Sequence, residues 1–219
     1  MAKRIFLALL VVTLAAGGAF AQIQMSAGLG GNFAVSWDSI KMSQAGFTSE
    51  GTLTTPGGGF YAFFDATYVE FDVGMLFGTQ KMKQTIGDIS AETDGPNVSY
   101  LTLSLYGKYP FDLGGFSLFP MLGIQYDIGL SAKQTVDGTT YEAESEDLPD
   151  ALNRLWIKLG VGADFSLSDA IYLRPSLFYG INFGTKNNND AVKTYKDAGI
   201  DVTTFYHGLD IRVAVGFRF

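Results

Sequence analysis

From Met25 onward the chain places apolar side chains at every second position, a period that marks β-strands. Eight strands are predicted. The first runs from Met25 to Trp37 and turns Met25, Ala27, Leu29, Phe33, Val35 and Trp37 to one side. The next six span Gly58–Ala66, Val69–Gly78, Tyr100–Tyr109, Phe116–Leu130, Leu155–Phe165 and Ile171–Phe183. The last begins near Phe205 and closes with Leu209, Ile211, Val213, Val215, Phe217 and Phe219 on one side. No charged residue falls on the apolar side of any of the eight. The other side carries Asp65, Glu70, Asp72, Lys108, Asp127, Lys158, Asp164, Arg174, Asp210, Arg212 and Arg218. Between these charges lie many glycines and the aromatic residues Tyr61, Phe63, Tyr100, Tyr106, Phe119, Trp156, Tyr172, Phe178 and Tyr206.

The connections alternate in length. Thr67-Tyr68, Pro110–Gly115 and Ser166–Ala170 are short. Segments 38–57, 79–99, 131–154 and 184–204 are long and rich in Ser, Thr, Asn, Asp, Gly and Lys, so they are expected to be loops. Four long loops alternating with short turns make one end of the molecule unlike the other. The only repetition read here is this hairpin rhythm, and no domain boundary interrupts it.

A period of two fits a soluble barrel with its apolar side inward, or a membrane barrel with its apolar side in lipid. The uncharged apolar sides match the nine or so residues with which a tilted strand crosses a bilayer. Glycine on the polar side suits a narrow interior. Aromatic residues mark the ends of the apolar sides, at Trp37, Tyr68, Tyr109, Phe116, Phe165, Phe183, Phe205 and Phe219, as an interfacial girdle would. The expectation is an all-β, eight-stranded, antiparallel, up-and-down transmembrane β-barrel. In hydrocarbon an open sheet edge is too costly, so the first and last strands must pair.

Composition agrees with this. Charged residues are 17% of the chain, below the roughly 25% of soluble proteins, and aromatic residues reach 14%. The net charge of −7 opposes nucleic-acid binding, and without cysteine there is neither disulfide framework nor thiolate metal site. The N-terminus has Lys3 and Arg4, an apolar run from Ile5 to Ala16, and Ala19-Phe20-Ala21. That is the layout of a secretory signal with cleavage after Ala21, too short to span a membrane. Residues 1–21 are therefore expected to be a cleaved leader and residues 22–219 the barrel.

The stretch "LGVGADFSLSDAIYLRPSLFYGINF", with "FPMLGIQY" and the closing "VAVGFRF", resembles the small outer-membrane β-barrels of the OmpA, OmpX and opacity-protein type. The resemblance covers the mature chain and implies a bacterial outer membrane, with termini in the periplasm and the long loops outside. It also implies that Val213, Val215, Phe217 and Phe219 are read by the outer-membrane assembly machinery.

Little in the sequence points to catalysis. The interior acids and bases nearly balance, which favours ion pairs that plug a barrel hardly wider than its own side chains. A narrow conduction path or small cavity, lined in part by Phe63, Tyr106, Phe119, Trp156 and Phe178, is the other reading. The third long loop concentrates Asp137, Glu142, Glu144, Glu146, Asp147 and Asp150, but in no calcium-loop spacing. His207, the only histidine, falls on the lipid side without triad partners. The glycines near Gly28 and at Gly57–Gly59 precede no helix, so they are not phosphate loops. No cofactor or metal is implied. The expected function is non-enzymatic. It is either surface contact through the loops, for adhesion, an extracellular ligand or envelope integrity, or a narrow passage for small, including hydrophobic, molecules as in the OmpW type.

Overall fold

The computed structural model describes residues 24–44, 47–87, 89–136, 138–144 and 146–219. The expected leader, with Ala19 and Ala21, lies outside them, as does Asp137. The strands are β1 (Met25–Gln44), β2 (Phe47–Ala66), β3 (Val69–Ile86), β4 (Ile89–Lys108), β5 (Phe111–Asp112), β6 (Phe116–Val136), β7 (Thr139–Glu142), β8 (Arg154–Ser166), β9 (Ile171–Asn182) and β10 (Asp201–Arg218). Helix α1 covers Leu148–Leu152 and helix α2 covers Lys186–Asp197.

Eight strands form one antiparallel ring in the order β4-β3-β2-β1-β10-β9-β8-β6, and β6 returns to β4. β5 and β7 only extend β6 at its two ends. Pairing can be followed once around the wall from Ala27 through Phe64, Phe71, Leu105, Ile124, Ile157, Ile181 and His207 to Trp37. The path returns to β1 ten residues beyond its start, and this stagger sets the tilt of the strands and the narrow bore. Every residue on it faces outward. Leu29, Phe33, Leu122, Leu159 and Val213 are exposed all round the wall, as hydrocarbon requires. Inside, small residues make room for large ones. A side chain at Gly30 would put its Cβ 2.7 Å from the Tyr61 ring and 2.8 Å from Ala214.

The chain terminus is tied down. Arg218 N–H donates to Ala170 O at 2.8 Å, and Phe219 N–H donates to Met25 O at 3.0 Å.

The loops differ from expectation. Segments expected as loops at 38–57 and 79–99 are mostly strand, and β1–β2 and β3–β4 rise as hairpins well past the aromatic girdle. β6 and β7 make a third, shorter hairpin, and the remaining connections hold α1 and α2. We call this end the crown and the other, with both described chain ends, the turn end. In the crown the two sides of the sheet exchange character. Outward positions become Ser39, Lys41, Ser43, Thr54, Lys81, Lys83 and Thr85, whereas inward positions become Ile40, Met42, Leu53, Met82, Ile86, Ile89 and Val136. Water replaces lipid outside the wall there, so the physical demand on the outer face reverses.

Candidate functional site

The barrel interior contains three tiers of charge. At the turn end, Arg174 on β9 gives two bonds to Asp164 (2.6 and 2.7 Å) and one to Asp65 (2.6 Å), and it also pairs with Glu70. Lys108 binds Asp65 as well. The Arg174 guanidinium lies among the rings of Phe63, Phe119 and Tyr172, at 4.8–5.0 Å. One buried cation thus ties β2, β3, β8 and β9 together across the bore.

In the middle tier Arg212 donates to Asp72 (2.6 Å), Asp210 (2.8 Å), Gln125 (3.0 Å) and Tyr106 (3.2 Å). Lys158 adds bonds to Gln125 (2.7 Å) and Asp210 (2.9 Å). Tyr106 packs on Phe178 with ring centres 4.8 Å apart. These two tiers close the axis.

The upper tier is looser. Arg154 on β8 is buried, yet its carboxylates Asp38 and Asp127 stand at 3.7 Å each and its one hydrogen bond, to Ser36, is 3.3 Å. Asp127 is held instead by Trp156 Nε1 and Gln125 Nε2, both at 2.6 Å. Among the described residues most of the buried side-chain atoms without a partner collect here: Asp38 Oδ1, Thr55 Oγ1, Arg154 Nε, Asn182 Nδ2 and Tyr206 OH. Asp38 pairs in register with Tyr206, and Trp156 with Asn182. Arg154 also separates two spaces. Below it is a cavity of about 40 Å3, lined by Thr55, Gly57, Leu76, Gly78, Tyr100 and Arg212 among others. That is room for a few waters, each of which needs roughly 10–15 Å3. Above it is a mouth pocket of about 280 Å3, bounded by Leu53, Pro96, Tyr100, Ala132, Leu152 and the start of α2.

The lid over the mouth comes from segments expected as loops. Leu148 and Leu152 of α1 pack on Val98 and Tyr100. α2 starts at Thr185, whose hydroxyl accepts from Asn188 N–H at 3.2 Å. Lys186 joins the helices through Asp150 at 2.8 Å, and the bonds to Asp150 and Asp190 raise its pKa.

The wall beside the cavity is thin. β2 and β3 pair at Thr54–Lys81 and again at Gly57–Gly78, and Thr55 and Pro56 are left out of the ladder. The next strand pairs are irregular at the same level, between Thr79 and Lys81 and between Ser99 and Tyr100. Proline cannot donate to a ladder, and its place here is at a break. Outside the break runs a groove of about 520 Å3 that includes Phe33, Pro56, Phe77, Asn97 and Ser131. Gly57 and Gly78 line both the groove and the inner cavity.

Of the charges expected inside, Asp65, Glu70, Asp72, Lys108, Asp127, Lys158, Asp164, Arg174, Asp210 and Arg212 are buried in these tiers. Arg218 is placed differently. It lies half-buried at the turn-end rim, 4.6 Å over the Tyr172 ring and 3.0 Å from Ser166 Oγ. Val213, Val215, Phe217 and Phe219 are exposed on the lipid side. His207 stacks on Phe205 at 4.6 Å and Trp37 at 5.2 Å within the girdle. Sequence reasoning missed Arg154 and Asp38, although both share the inward parity of Trp156 and Ser36.

No family model and no curated protein sequence matches the chain. Solved structures do. The outer membrane protein OprG of Pseudomonas aeruginosa aligns over 91% of this chain and 98% of its own, with TM-score 0.51 and 14% identity. Neisserial surface protein A aligns over 89% and 97%, with TM-score 0.46 and 10% identity. At such identities the likeness is one of fold, the small eight-stranded outer-membrane β-barrel.

Proposed function

We propose that the protein resides in a bacterial outer membrane with its turn end in the periplasm. There it acts without catalysis, taking up small apolar molecules in the crown and releasing them sideways into the bilayer. The carrying observation is the exchange of faces in the crown. Met82, Ile86 and Ile89 point inward there yet are 53%, 57% and 77% exposed. An unfilled apolar surface of this kind suits an apolar guest. The axis offers no exit, since the lower two tiers are tightly bonded. The break at Pro56, with only Gly57 and Gly78 between cavity and groove, offers one through the wall. Arg154, the least bonded of the three buried arginines, is the group that must move. Val213, Val215, Phe217 and Phe219 serve as the signal to the assembly machinery.

The test is entry of an apolar dye that fluoresces in hydrocarbon, measured on vesicles containing the folded barrel. Entry should exceed that of protein-free vesicles and fall in Gly78→Val, which fills the thin part of the wall, with heat-modifiable gel mobility showing that the variant is folded. Planar bilayers should carry no ion current. Equal dye entry with and without protein, or a steady current, would reject the sideways route. The second reading, contact with another surface through the crown, is supported by the stiffness of its hairpins and by Tyr141, 62% exposed on β7. It is favoured if dye entry is unchanged while deletion of the crown tips abolishes binding of cells to a surface.

A further inference from the structure

Segments Lys41–Glu50, Lys83–Glu92 and Lys133–Glu142 are three copies of one ten-residue pattern. Each has Lys first, Ser or Thr at the third and eighth places, and Glu at the tenth. The described residues of each lie at the outer end of one crown hairpin, so the chain does contain a sequence repeat beyond its hairpin rhythm. Register places Lys opposite Glu in every copy, with ion-pair distances of 2.8, 3.9 and 3.2 Å. The hydroxyls are also opposed, Ser43 to Thr48 at 3.4 Å, Thr85 to Ser90 at 2.9 Å and Thr135 to Thr140 at 3.0 Å.

All three sets lie on the outward side of the wall, the side that carries Trp37 and Phe77 lower down. Lys41 stands four residues beyond Trp37, about 13 Å along the tilted strand and about 10 Å along the barrel axis. Neighbouring copies are two strands apart, again about 10 Å. With Lys81 and its register partner Asp94, and with Asp201 opposite Ser43, the outward collar holds four cations and five carboxylates.

We propose that these rungs form a collar that binds the sugar headgroups of the surrounding outer-leaflet lipid. The collar lies on the same outward face of the same strands as the belt, directly above it, so what covers it is the polar part of the molecules whose chains cover the belt below. With one carboxylate in excess the collar gives no general attraction for an anionic headgroup. Each rung instead sets an ammonium donor beside a carboxylate acceptor and two hydroxyls. Sugar hydroxyls, which donate and accept at once, are complementary to that set. Opposed pairs also help to hold hairpin register, and the test separates the two roles. The inference rests on the outer-membrane placement proposed above.

Trp37 lies just below the collar, and lipids with brominated chains quench it, while Trp156 is buried inside and gives a constant background. The full mature chain is refolded in vesicles of brominated phosphatidylcholine. Unbrominated phosphatidylcholine, digalactosyl diacylglycerol or phosphatidylglycerol is then added. The digalactosyl lipid should relieve quenching about two- to tenfold more effectively than phosphatidylcholine, the worth of one hydrogen bond exchanged with water. Replacing the three Lys and three Glu of the rungs by Thr should abolish that preference in a barrel that still shows folded gel mobility. Single-rung replacements, each removing part of the preference, serve if the sixfold variant does not fold. Equal relief by all lipids, a preference for phosphatidylglycerol, or a sugar preference that survives the replacements would overturn the collar. A parent chain that enters no bilayer would instead strike the membrane placement.

Discussion

Arg174 and Arg154 are both buried, but they sit in opposite electrostatic situations. Arg174 is bonded at 2.6–2.7 Å to two carboxylates and paired with a third. Arg174→Ala leaves Asp164 and Glu70 without their cation and Asp65 with Lys108 alone, and a broken buried pair costs about 3–5 kcal/mol. Arg154→Ala should cost less than half of that, since its carboxylates stand at 3.7 Å and Asp127 keeps Trp156 and Gln125. Urea unfolding of both variants in lipid vesicles checks the order, and equal losses would mean that the upper tier is as tightly held as the lower. Strand parity made the inward side of residues such as Asp65, Arg174 and Arg212 legible in the sequence. It could not say that Arg174 meets Glu70, because those two are brought together by closure of the ring and not by any local spacing.

At the scale of the element, the part of each strand inside the membrane was legible because one solvent acts on it throughout. The crown was not. Its apolar side is the opposite one, so an alternation followed past Trp37 or Phe77 on one face stops, and Ser, Thr, Lys and Glu then read as loop. The ten-residue repeat was in plain view but carries no meaning until register opposes its ends. α2 had its signals in Thr185 before the helix and Gly199 after it, the latter at φ +78°. Depth along one strand gives a direct check of this division. Val213 lies on β10 opposite Gly31 and Pro175, well inside the belt, and Phe205 lies among the girdle rings. A basic residue costs roughly 2–4 kcal/mol at the midplane and far less at the interface. Val213→Arg should therefore impair folding into bilayers much more than Phe205→Arg, as read from heat-modifiable mobility. Equal folding of the two would remove β10 from the lipid surface.

For the whole molecule, the two ends differ in kind. Protease added to intact cells should reach the lid segments around 143–153 and 184–200, where hydrogen bonding is local, before the paired hairpins. It should leave Pro110–Gly115 and Ser166–Ala170 whole. Cleavage there first would invert the orientation proposed.

β10 has a neighbour on each side only from His207 onward; its first residues, Asp201–Tyr206, pair with β1 alone. The ring is thus sealed through the bilayer and unzipped above it, with α2 beside the opened margin. A bare strand margin invites another chain to add itself. Shortening α2 by removing residues 188–196 should leave insertion intact yet turn solitary barrels into pairs joined margin to margin, visible as concentration-dependent cross-linking. On this view the helix is a guard against unwanted company as well as a cover for the mouth.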